Sequence, residues 1–300
     1  MGAISAALER KFRTTGAVAC CFDGLPCCRD GGVAFPYGSA AGSQEGIAVK
    51  AQYFKRIGTI SAICCIPSFF LINLGRGMPL TVILDAVYGG AALTKDCNIA
   101  VILAFFLPML LFVYGFSNYF REDMRTRMPY VFTRTNKRAK WLIGKTTALF
   151  GYCSLTYAAH LVILVMLCFL CRVPMDFSGI SARHLQMLLL NVAHIFSVSL
   201  FVNLLSLKLD PVKVVICTIM AHVGMFFLFL FAFFEAAPAL IFAFPVCQFV
   251  YFWHELPSVT AAVISVASGF TVVYSFVYFL ALISAVLGTA FWAVRKMDIL

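Results

Sequence analysis

Charge is scarce in this 300-residue chain: Asp, Glu, Lys and Arg together make up 12% of it, about half the share in a soluble domain. Acidic residues are the scarcer kind, 13 against 23 Lys and Arg. With 62% hydrophobic residues and a mean hydropathy of +0.94, there is too little polar surface to cover a globule. A soluble enzyme, a reader of nucleic-acid bases and a disordered tail are therefore excluded. Other signals are missing as well. The first apolar run lacks the length and basic flank of a signal peptide, and Ala6 spoils the pattern for myristoylation. The adjacent pairs Cys20-Cys21 and Cys27-Cys28 lack the two-residue spacing of a zinc knuckle. Gly144-Lys145-Thr146-Thr147 resembles a phosphate loop, but Ala139 stands where the motif needs glycine, and a basic stretch precedes it rather than a strand. Lys145 is expected to snorkel to lipid phosphates instead.

What is present is membrane-spanning material. A span needs roughly 20 apolar residues, and 57–75, 97–120, 146–171, 184–207, 214–234 and the later part of 256–294, near 267–293, meet that requirement. The stretch 236–254 is long enough but holds Pro238, Pro245, Gln248 and His254. Proline breaks the hydrogen-bond ladder that lipid requires. The region 236–266 is thus expected to be re-entrant or interfacial, with Phe249 to Trp253 at headgroup level; a seventh span is the alternative. The fold class is all-α, a polytopic membrane protein of six spans with a re-entrant segment before the last.

With six spans, 19 Lys and Arg fall on one side and 4 on the other, giving net charges of +11 and −1. Such a bias places both termini in the cytoplasm of a multi-pass cell-membrane (inner or plasma membrane) protein. Residues 1–50 read as a mobile cytoplasmic extension, with Gly, Pro26 and Pro36 interrupting any apolar period, and 51–300 as the six-span domain. Residues 44–56 are expected to form a short surface helix with Lys50, Lys55 and Arg56 toward phosphates. Cys97 and Cys247 are the cysteines on the outer side, where a disulfide is possible. His160, His194 and His222 lie in spans without a carboxylate to relay protons, so they are expected as neutral imidazoles hydrogen-bonded between helices.

Eight basic residues cluster in 116–145 beside Glu122 and Asp123. Anionic lipid alone would explain the cations, but acidic and aromatic neighbours suit a docking surface for a cytoplasmic partner. From Asn118-Tyr119-Phe120-Arg121-Glu122-Asp123 through Tyr130-Val131-Phe132-Thr133-Arg134-Thr135 to Arg138, Trp141 and Lys145, and again in the close Trp292 to Leu300, the chain resembles the permease subunit of type-2 ABC exporters. The likeness is particularly to the bacterial branch linked to peptide antibiotics and their immunity, and it covers about 50–300.

The resemblance implies a transport subunit that is not an enzyme and has no cofactor, with ATP bound by a separate cytoplasmic ABC ATPase and a second permease subunit, identical or different, completing the transporter. Membrane lipid, and no nucleic acid, would be the remaining partner. A coupling helix around 119–127 would dock into the ATPase through Phe120, Arg121, Glu122, Arg125 and Tyr130, with Arg134 and Arg138 in support. A secondary carrier or channel, which would want broken helices and midplane polar groups, and a membrane-embedded enzyme, which would want paired acid and base groups, are the competing classes.

Overall fold

The computed structural model describes residues 39–74, 77–90, 99–124, 138–233, 236–255 and 267–296. All regular structure among them is helical. The chain divides into two compact units, Met1–Gly46 and Ile47–Leu300. Of the first only the helical residues 39–46 are described, and the features below belong to the second.

The long helices are α1 (Ser39–Leu74), α3 (Ile99–Phe116), α4 (Arg138–Leu170), α5 (Ala182–Leu205), α6 (Pro211–Leu228) and α7 (Val272–Lys296), with a short α2 (Leu80–Leu84). Six stretches are long and apolar enough to cross a membrane: Ala51–Leu74, Ile99–Met124, Arg138–Leu170, Ala182–Leu205, Pro211–Ala232 and Val272–Val294. These are the six expected spans. Four of them start earlier than expected, the first and the third by the most. The third begins at Arg138, so Trp141 and Lys145 are already helical. Residues 44–56 are no separate surface helix but part of α1.

Helix α5 is the hub, packing on α3, α4, α6 and α7. Its sequence explains why: Asn191, Ser197, Ser199 and Asn203 are all buried, and in lipid, where hydrophobicity does not drive helices together, such small and polar residues supply the packing and hydrogen bonds that do. Asn191 Nδ2 donates to the carbonyls of Tyr88 (2.7 Å) and Met187 (2.8 Å). Tyr157 Oη donates to Asn191 Oδ1 at 3.4 Å.

Two non-spanning pieces fold against this hub at one end of the bundle. The first is α2 with the π turn Asp85–Gly89, closed by Gly90 in the left-handed conformation at φ 71°. The second is the proline-containing segment 236–255, which forms the 3-10 turns Pro238–Phe242, Pro245–Cys247 and Tyr251–Trp253 rather than a seventh helix. The two pieces pack on one another so closely that a Cβ on Gly89 would meet the Phe252 ring at 2.6 Å.

The aromatics of this segment, expected as interfacial anchors, do not face outward. Phe249, Tyr251, Phe252 and Trp253 are buried in the protein: Phe249 stacks on His194 (3.9 Å) and Phe105 (4.7 Å), and Trp253 on Phe226 (5.8 Å). Irregular backbone that is buried needs partners for its polar groups, and here three side chains supply them. Gln248 Nε2 donates to Ile241 O (2.7 Å), Tyr274 Oη to Phe242 O (3.1 Å) and Tyr278 Oη to Ala243 O (3.1 Å). Ser275 Oγ donates to Gln248 Oε1 at 2.8 Å, which fixes the amide. Cys247 is a buried free thiol; Cys97, its suggested disulfide partner, lies outside the described residues.

Candidate functional site

The candidate surface lies at the opposite end, where α3 stops at Phe116, turns through Ser117 and Asn118, and resumes as a helix over 119–124. A break in a helix strands backbone donors and acceptors, and Asn203 of α5 takes up both sides of this one. Its Nδ2 donates to Phe116 O (2.9 Å), and its Oδ1 accepts from the Phe120 N–H (3.0 Å). The short helix is thereby held against the bundle in a set orientation.

Its inner face is locked. Phe120 is fully buried, edge-on to Trp141 with ring centres 5.9 Å apart. Asp123 is buried too, accepting from Trp141 Nε1 (2.7 Å) and paired with Lys145 Nζ (2.7 Å). Lys145 therefore does not snorkel to lipid: the buried carboxylate and the Tyr119 ring, 4.8 Å away, hold it inside.

The outer face carries Glu122 and Arg121. Glu122 is the exposed one, with 48% of its side chain accessible, and it is tethered to α1 by Tyr53 Oη (3.2 Å) and Arg56 (3.8 Å). Arg56 also donates to Gly115 O (3.3 Å) and lies 5.4 Å from the Tyr53 ring centre. It thus turns into the bundle instead of toward phosphates. Arg121 donates to Leu209 O (3.4 Å) at the α5–α6 turn. Arg138 donates to Val294 O (3.4 Å), joining the start of α4 to the end of α7. Beside Glu122 opens a crevice of about 750 Å³ between α1, α3 and α6, lined by Gln52, Lys55, Arg56, Tyr114, Asn118 and Glu122 among others. A smaller hollow of about 360 Å³ is bordered by Arg121, Glu122 and Asp210.

Compared with known protein families, characterised proteins and solved structures, the chain matches none.

Four of the seven residues expected at a docking surface are described, and they divide. Arg121 and Glu122 face outward together, whereas Phe120 is a core residue that cannot serve as an exposed anchor. Arg138 bridges α4 to α7 at the same end. Arg125, Tyr130 and Arg134 lie outside the described residues. Sequence reading overlooks Asn203 and Tyr53 and assigns Arg56 to lipid phosphates. An Asn within a span was the available signal for the first, since an amide among apolar residues needs partners. No metal-binding group of three or more His, Cys, Asp or Glu occurs among the described residues.

The spans' histidines are placed individually. His160 Nδ1 and Tyr88 Oη hydrogen-bond at 3.0 Å, linking α4 to the π turn. His222 turns Nδ1 to Thr218 O of its own helix at 3.2 Å, and His194 stacks on Phe249. At the far end, Asp85 meets Arg183 Nη2 (3.1 Å) and His184 Nε2 (3.3 Å). Burial pushes the Asp85 carboxyl up from its usual range, against the opposing pull of Arg183 and then His184. The Ser181 N–H donates to His184 Nδ1 (3.2 Å), which leaves Nε2–H as the ring's donor facing Asp85.

What the basic end can do is mechanical. A short helix bonded on one face to α4 and α5 and tied at its rim to α1 and the α5–α6 turn cannot be displaced without moving those spans.

Proposed function

We propose that the chain is the membrane-spanning permease subunit of a type-2 ABC exporter, resembling those of the bacterial antibiotic-peptide branch. It would move a hydrophobic or amphipathic substrate, such as a peptide antibiotic, a drug or a lipid-like molecule, across the cell membrane. ATP is hydrolysed by a separate cytoplasmic subunit, and a second permease subunit completes the pathway. In this reading the basic end and both termini face the cytoplasm, and the 236–255 turns are the re-entrant piece before the last span.

The observation that carries the reading is the two-faced helix at 119–124: Phe120 and Asp123 are fixed in the bundle while Arg121 and Glu122 remain at the surface. Rim charges around a docking face tune recognition, and the internal bonds give a push on that face a route to α1, α4 and α5. A photo-crosslinking amino acid at position 121 tests it. Crosslinking in intact membranes to a soluble subunit that carries a phosphate-loop peptide, identified by mass spectrometry, is the expected result. Crosslinks to lipid alone would count against it.

A further inference from the structure

A groove of about 670 Å³ runs between α5 and α6 at the basic end, within the size range of small-ligand sites. Its walls are apolar, with Phe201, Leu205, Val214, Ala221 and Met225, and its mouth is basic, with Lys208 and Lys213. Along α6 the twelve steps from Lys213 to Met225 rise about 18 Å, close to the roughly 15 Å depth of one leaflet's hydrocarbon. The groove thus matches an acyl chain in length and ends at headgroup level in two cations.

The one carboxylate at the mouth does not neutralise them. Asp210 Oδ1 accepts from the amides of Val212 (3.0 Å) and Lys213 (3.2 Å) as the cap of α6, and neither lysine forms an ion pair with a described residue. Those capping bonds also occupy the helix's first free amides, so the lysine side chains are what remains for an anion.

We propose that this groove holds one anionic phospholipid from the surrounding leaflet, an acyl chain along the α5–α6 wall and the phosphate between Lys208 and Lys213. The charge complementarity favours an anionic over a zwitterionic headgroup, and the site does not depend on any ATPase partner.

The test is lipid retention by the full chain, purified from vesicles holding equal phosphatidylglycerol and phosphatidylcholine of identical acyl chains and weighed by native mass spectrometry. One retained phosphatidylglycerol per chain is expected, preferred about 30-fold if each lysine contributes as a basic residue at a membrane surface does. Lys208→Gln with Lys213→Gln should bring that preference close to one. Ala221→Trp, on an exposed stretch of the wall, should fill the groove and lose the retained lipid with both lysines intact, and Lys140→Gln, another exposed lysine, should change nothing. Equal retention of the two lipids by the unaltered chain would overturn the proposal. So would an undiminished preference in the double lysine variant or an undiminished lipid in Ala221→Trp, since the lysines would then act on bulk lipid only.

Discussion

Asn203 satisfies a carbonyl and an amide on either side of the Ser117–Asn118 break, and also donates to Ser199 O at 2.9 Å. Leucine has nearly its shape and none of its hydrogen bonds. Asn203→Leu leaves two buried backbone groups without partners, so it should cost on the order of 2–4 kcal/mol, measured as a lower melting temperature in detergent. The loss should be local as well, with faster amide exchange over 117–124 than in α6. The Asp123–Lys145 pair makes a different demand. Asp123→Asn keeps an acceptor for Trp141 but strips Lys145 of its counter-charge, and Lys145→Met in that background should recover part of the loss. A coupling energy of roughly 1–2 kcal/mol in the double-mutant cycle is expected, and additive losses would show that the pair is not a unit.

At the scale of elements, the spans were legible because an uncharged run of that length has few other uses. Helix α2 and its π turn were not. Arg76, Asp85, Lys95 and Asp96 make 75–97 read as a loop, and what lets Asp85 pack inside is Arg183 and His184, about a hundred residues on. Such compensation between distant residues leaves no periodic trace. The prolines argued against a seventh span over 236–254, and short 3-10 turns stand there, but its aromatics suggested an interface because the surfaces that bury them, on α3, α5 and α6, cannot be seen from the segment itself. Likewise the candidate helix was legible as charged and aromatic, while the assignment of Phe120 to the core depends on a turn at Ser117–Asn118 that reorients the chain. If Gln248 is what makes the 236–255 backbone tolerable, Gln248→Leu should destabilise the protein by about 2–4 kcal/mol and speed exchange at Ile241 and Phe242 first. Unchanged protection there would mean that packing alone holds the segment.

For the whole molecule, the basic bias of 19 Lys and Arg against 4 predicts an orientation that can be checked directly. Epitope tags at both termini and within 125–137 should be reached by antibody only after the membrane is permeabilised, and a tag inserted near Asp176–Gly179 should be reached without it; the reverse pattern would invert the protein. The 119–124 helix joins four of the six spans at one surface, the one that the proposed function places in the cytoplasm. Under the proposed function, its role is best tested by ATP turnover of the chain reconstituted with the proposed ATPase partner, comparing the unaltered chain with Arg121→Ala combined with Glu122→Ala. The variant should insert and melt normally yet lose partner-stimulated turnover by tenfold or more. Undiminished turnover in that variant would contradict the assignment of this helix as the coupling element.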